Sequence, residues 1–291
     1  MGTKFSITKG LDNWYTVNYD FCDRPDTPTW NVDLHPTRPA VDMGFQKAAD
    51  YTAQKIAERY PNLHLAMSGG LDSNFVAEVL YRNKIPFTPI ISAVPNNNYE
   101  HFIALNWCQV RNIKPILLEF KPNDPRLIKE IHDFGKIIGQ VITLATVNNY
   151  MSRYVKNING HYLTGDSPII YSMQPEDSYY SSAGDIFDVW YCCYFVDIIH
   201  NGYHPNAFYQ YTPEIMLGMA KEADTSLNDS ACKAKLYDIP YRPKHPNPKS
   251  AIDEDVSRKV TRLWNIRKVM DIYPYHHWHK EDLINKLTNV V

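Results

Sequence analysis

Two serines, two adjacent glycines and a carboxylate fall within six residues, Ser68-Gly69-Gly70-Leu71-Asp72-Ser73. Adjacent glycines let a backbone approach a ligand closely. The free amides at the start of a helix attract anions, and Ser68 and Ser73 add hydroxyl donors. Asp72 places a carboxylate where a metal ion could bridge it to phosphate oxygens. The chemistry such a set supports is the gripping of a phosphate or pyrophosphate group. No Gly-Lys-Ser/Thr tripeptide ends the string, and its glycines are adjacent rather than spaced as Gly-x-Gly-x-x-Gly.

Such a loop needs a strand before it and a helix after it. His64-Leu65-Ala66-Met67 reads as a buried strand, and residues 74–83 read as a helix with Phe75, Val76, Val79 and Leu80 on one side. Residues 85–93 read as a second strand, 100–111 as a helix and 113–120 as a third strand. That rhythm predicts an α/β fold with a doubly wound parallel sheet. Such sheets bind ligands at the carboxyl ends of their strands, where residues 68–73 would lie. A further apolar strand ends in Thr164-Gly165-Asp166 and offers a second carboxylate. Residues 236–250 are proline-rich and basic, and contain Arg242 and Lys244. A basic loop beside a phosphate site can close over its ligand.

The strand followed by Ser-Gly-Gly-x-Asp-Ser resembles the PP-loop of the N-type ATP pyrophosphatases. Thr164-Gly165-Asp166 and the Arg-x-Lys segment Arg242-Pro243-Lys244, in the same order, are similar to the synthetase domain of asparagine-synthetase-type enzymes within that superfamily. The resemblance spans roughly residues 60–250 and implies the adenine nucleotide alpha-hydrolase-like (PP-loop) fold, with ATP and Mg2+ as ligands. It implies that Ser68, Gly69, Gly70, Leu71, Asp72 and Ser73 surround the pyrophosphate, and that Ala66, Met67 and Ser92 lie near adenine. Gly165 and Arg242 would make further ATP contacts, and Asp72 and Asp166 would hold the metal. Lys244, Asp72 and Asp166 would form the catalytic set. The implied enzyme is an AMP-forming ligase. A carboxyl or carbonyl oxygen of a small-molecule acceptor attacks the α-phosphorus of ATP, pyrophosphate leaves, and ammonia or an amine then displaces AMP.

Two departures shape that expectation. The family follows its strand with Gly-Ala-Asp-Glu, whose aspartate helps bind magnesium, whereas Asp166 precedes Ser167-Pro168-Ile169-Ile170. Asp166 itself, or Glu176 and Asp177, could substitute for it. Position 2 is Gly2 rather than a cysteine nucleophile, and fewer than seventy residues precede the loop. The nitrogen is therefore expected from free ammonia, a separate protein or an amine-bearing substrate. Residues 171–183, rich in tyrosine, are expected to set the acceptor. Two other readings compete. One is a PP-loop enzyme that modifies a nucleobase in tRNA or DNA; the absence of Cys-x-x-Cys and a net charge of −2 count against nucleic acid. The other is a non-catalytic nucleotide-binding regulatory module, which the altered second metal motif favours.

The 291 residues, 44% hydrophobic and 21% charged, suit a globular protein with a sizeable core. No run of eighteen apolar residues predicts a membrane span, and no signal peptide is visible. The five cysteines, Cys22, Cys108, Cys192, Cys193 and Cys232, are odd in number and include a neighbouring pair. They predict buried thiols and a reducing, cytoplasmic setting. The expected organisation is an N-terminal β/loop attachment over 1–40, the ATP pyrophosphatase domain over 41–250 and a C-terminal helical extension over 251–291. Helices are expected over 41–60, as a pair over 125–157, over 185–200, from Thr212-Pro213, over 253–271 and over 280–291. His276-His277-Trp278-His279 reads as a surface cap, because adjacent histidines do not share one helix face.

Overall fold

Alternating strand and helix signals become alternating strands and helices. The structure, a computed structural model, describes residues 4–20, 29–94, 99–138, 140–141, 146–167, 169–171, 186–188, 206–240, 256, 259, 267–268 and 277–290. Strands β1 (Lys4–Lys9), β2 (Tyr15–Asp20) and β3 (Thr29–Leu34) precede helix α1 (Phe45–Arg59). Then come β4 (Leu63–Ala66), α2 (Leu71–Arg82), β5 (Phe87–Ala93), α3 (Glu100–Val110) and β6 (Ile116–Glu119). They are followed by α4 (Pro125–Ile138), β7 (Gln140–Val141), α5 (Thr146–Asn157), β8 (His161–Thr164), β9 (Ile169–Tyr171), β10 (Ile186–Asp188) and β11 (Asn206–Ala207). The last elements are α6 (Pro213–Glu222), α7 (Asp229–Tyr237), β12 (Arg267–Lys268), β13 (His277–His279) and α8 (Lys280–Thr288).

The central sheet has the order β11-β8-β4-β5-β6, and every pairing in it is parallel. The chain builds β4, β5 and β6 outward in one direction. It then returns to place β8 on the other side of β4, and the reversal falls between β4 and β8. Ala66 stands beside Thr164 at this point. Successive side chains of a strand point to opposite faces, and both faces are covered. Leu65, Ile91 and Leu163 join one apolar cluster with residues of α1, α2, α6 and α7. Ile90 and Tyr162 join the other, with Leu127 and Ile131 of α4 and Met151 and Val155 of α5. The α/β doubly wound arrangement is thus present, with helices on both sides.

The N-terminal strands make a separate antiparallel sheet, with Ile7 opposite Val17 and Val17 opposite Val32. Trp14, 1% exposed, anchors it, because its indole N–H donates to the carbonyls of Gln210 and Tyr211 at 3.2 and 3.3 Å. Thr212 and Pro213 start α6 as expected, with the Thr212 hydroxyl accepting from the Ile215 amide at 3.3 Å. Three expectations need correction. Residues 186–188, expected in a helix, form β10 between β9 and β13 in an antiparallel sheet. A short apolar run fits helix and strand alike, and pairing decides it. The helix expected over 253–271 does not run through Arg267–Lys268, which pairs in parallel with Gln140–Val141. Finally, α2 starts at Leu71, three residues early, which places Asp72 and Ser73 in its first turn, where the helix dipole favours a carboxylate.

Candidate functional site

The Ser68–Ser73 turn holds itself. The Ser68 amide donates to the Ser73 hydroxyl at 3.2 Å, the two hydroxyls lie 3.2 Å apart, and the Gly70 amide donates to the Ser68 hydroxyl at 3.2 Å. The Asn74 side-chain amide donates to the Gly69 carbonyl at 3.2 Å. Gly69 has φ +85°, and a Cβ there would lie 1.8 Å from the Glu100 carbonyl oxygen, so both conformation and space require glycine. The turn leads into the first amides of α2, which have no intrahelical partner. Ser73 and Gly165 are in close contact across the point where the strand order reverses, the position where doubly wound sheets bind ligands.

Asp72 is held from two elements beside the loop. The Tyr209 hydroxyl donates to its backbone carbonyl at 3.1 Å, and the Tyr237 hydroxyl donates to its Oδ1 at 2.7 Å. Tyr237 stacks on Phe75 at 4.4 Å, and Phe75 stacks on Phe45 at 5.3 Å, so the clamp rests on a buried aromatic column. Burial, reinforced by the Asp72 charge, keeps both tyrosine hydroxyls protonated well above the ordinary phenol range. Lys233 reaches in from α7, with its Nζ 3.7 Å from Asp72 Oδ2 and 3.0 Å from Asp229 Oδ1. Burial opposes its charge, but the carboxylates of Asp72 and Asp229 outweigh burial and hold its pKa above the ordinary lysine value.

Above these groups opens a cavity of about 780 Å³. Its wall includes Ala66, Met67, Ser68, Gly69, Gly70, Leu71, Asp72, Ser73, Ser92, Gly165 and Asp166. The structure therefore gathers on one surface every expected site residue that it describes. Arg242, Lys244, Glu176 and Asp177 lie outside the described residues, as does most of the expected 171–183 acceptor loop. Lys233, Asp229, Tyr237, Tyr209 and Asn74 were not anticipated; the Asp229/Lys233 spacing of one helical turn was the signal for the buried pair. At the far wall, Arg111 lies over the Trp107 ring at 4.3 Å and pairs with Glu78 at 2.7 Å.

The cavity contains a turn of the kind that can cradle an anion. Its loop is a cradle that a Cβ on Gly69 would break, and the Asn74 Oδ1 is buried without a partner among the described residues, an acceptor of the sort a ligand donor satisfies. No group of three metal-ligating side chains occurs among the described residues. A cation here would share Asp72 and Asp166 with phosphate oxygens and water, the ligand set magnesium takes. Cys108 and Cys232 are buried, and burial pushes the Cys108 thiol up to about 11, so neither is a ready nucleophile. No helix among the described residues is long and apolar enough to cross a membrane.

No family model and no curated protein matches the chain. Solved structures resemble it weakly. An NH3-dependent NAD synthetase from Campylobacter jejuni subsp. jejuni, in complex with nitrate, is 21% identical over 43% of this chain, with a TM-score of 0.30. The match spans 58% of that synthetase's length. An NMN synthetase from Francisella tularensis is 12% identical over 80% of this chain and 100% of its own, with a TM-score of 0.34. A predicted subunit of tRNA methyltransferase from Methanocaldococcus jannaschii is 13% identical over 64% of this chain and 93% of its own, with a TM-score of 0.31.

Proposed function

We propose that the chain is an ATP-dependent, AMP-forming enzyme of the PP-loop superfamily that adenylates the oxygen of a carboxyl or carbonyl group and then joins that group's carbon to ammonia or an amine as AMP leaves with the oxygen, as asparagine-synthetase-like enzymes do. The observation that carries this reading is the self-bonded Ser68–Ser73 turn, set where the sheet reverses its strand order and facing Gly165 and Asp166. The α2 amides and the hydroxyls of Ser68 and Ser73 would hold the β and γ phosphates, and Ala66, Met67 and Ser92 would border the adenine. Asp72 and Asp166 would hold magnesium, which when bound neutralises charge on the phosphates. The acceptor oxygen attacks the α-phosphorus in line, and pyrophosphate leaves toward the loop. Lys233 supplies a cation beside the loop, and Arg242 and Lys244 would add theirs from the basic segment. Fixed donors and cations of this kind remove several kcal/mol of the barrier between anions.

The acceptor is a small molecule, and the amine donor is free ammonia, an amine substrate or a separate protein; a reducing, cytoplasmic setting suits the buried thiols. The test is product analysis with ATP, magnesium and a panel of carboxylic acids and amines. AMP and pyrophosphate are expected. ADP and orthophosphate, or tight ATP binding without any product, would overturn the reading.

A further inference from the structure

The two oxygens of Asp72 are held differently. Oδ1 accepts a 2.7 Å hydrogen bond from Tyr237, whose ring is locked against Phe75. Oδ2 faces the Lys233 ammonium at 3.7 Å, beyond hydrogen-bond distance. The same ammonium lies 3.0 Å from Asp229 Oδ1, one turn back on α7. Lys233 thus has a close partner and a loose one, and the loose one is the carboxylate at the phosphate loop. Its side chain is 5% exposed, so the cation cannot retreat into solvent. The short move open to it is away from Asp72 and onto Asp229. Asp72, Asp229 and Lys233 all line the same cavity.

Asp72, its side chain 32% exposed in the cavity wall, is a partly buried carboxylate that a nearby cation stabilises. A cation bonded tightly to it would block a metal. Loose pairing to Asp72, with the closer bond to Asp229 already made, meets both conditions. We propose that Lys233 is a placeholder cation: it neutralises Asp72 while the loop is empty and withdraws onto Asp229 when a divalent ion takes Oδ2. Tyr237 holds Oδ1 throughout, which leaves Oδ2 as the less encumbered oxygen of Asp72. The proposal rests on the reading of Asp72 as a metal ligand given under Proposed function.

The test is the affinity of the full, metal-free chain for Mn2+ alone, followed by loss of the free-ion electron paramagnetic resonance signal. Lys233→Met keeps the bulk of the stem and removes the competing charge, and is expected to bind Mn2+ at least about tenfold more tightly than the unaltered chain. Lys233→Arg keeps the charge and should bind as the unaltered chain does. Asp229→Asn removes the closer partner and should weaken Mn2+ binding severalfold. A Lys233→Met variant that binds equally, more weakly or not at all overturns the proposal, and so does a Lys233→Arg variant that gains affinity. Should circular dichroism show that Lys233→Met does not fold, Asp229→Asn decides, and unchanged or tighter binding by it overturns the idea. This ranking needs no turnover, so its failure is distinct from failure to form AMP and pyrophosphate.

Discussion

A Cβ placed on Gly165 would lie 2.7 Å from the Cα of Ser73, so the end of β8 and the start of α2 touch backbone to backbone. Gly165→Ala must push the two apart beside the Ser68–Ser73 turn. We expect a loss of roughly 1–3 kcal/mol in stability, the usual range for overpacking, together with a larger loss of ATP affinity. Urea denaturation and nucleotide titration measure the two. An alanine variant with unchanged ATP affinity would show that the loop does not depend on this contact.

Asp72→Asn keeps the size of the side chain and removes its charge. Pyrophosphate release is expected to fall below detection while far-ultraviolet circular dichroism stays unchanged. Full turnover without that carboxylate would refute its metal role.

Tyr237→Phe deletes the 2.7 Å hydrogen bond to Asp72 Oδ1 and leaves the stack on Phe75 in place. The bond is to a charged acceptor, so the cost to stability is on the order of 1.5–3 kcal/mol. The sharper expectation concerns magnesium. With Asp72 free to rotate, the magnesium concentration that gives half-maximal turnover should rise severalfold, more than the KM for ATP does. A purely structural tyrosine would leave the magnesium dependence alone.

Asp124 caps α4. It accepts from the Arg126 amide at 2.9 Å, and the Arg126 side chain bonds it at 2.9 and 2.8 Å. Those side-chain bonds, ahead of a smaller opposing effect of burial, hold its pKa at about 2. The unfolded value is about 3.9. The folded pKa is the lower one, so the stabilisation is complete above about pH 4 and is lost as pH falls toward 2. It amounts to roughly 1–2 kcal/mol, because Arg126 is partly in solvent. Asp124→Asn should flatten the pH dependence of unfolding in that window, which denaturant titrations at pH 6 and pH 3 would reveal.

The Ser68–Ser73 turn and the parallel sheet were legible because both are local signals. Ser68 to Ser73 is one contiguous string, and strands β4, β5 and β8 are short apolar runs bounded by turn residues. Gly165 and Asp166 were legible as the end of such a run. Lys233 was not, because its meaning is tertiary: a lysine on a nine-residue helix becomes a site residue when α7 packs against α2. Tyr209 and Tyr237 were likewise two among 21 tyrosines until folding aimed both hydroxyls at Asp72. The strand at 186–188 was missed because one of its partners, His277–His279, is distant in the chain.

Because β8 takes its place beside β4 only after β5, β6, α4 and α5 have intervened, the two lips of the cavity come from segments far apart along the polypeptide. A partly collapsed chain can own the glycine turn and still lack the opposite lip. Nucleotide capture should therefore mark the finished molecule and none of its precursors, and saturating ligand should slow global unfolding by holding the distant halves together.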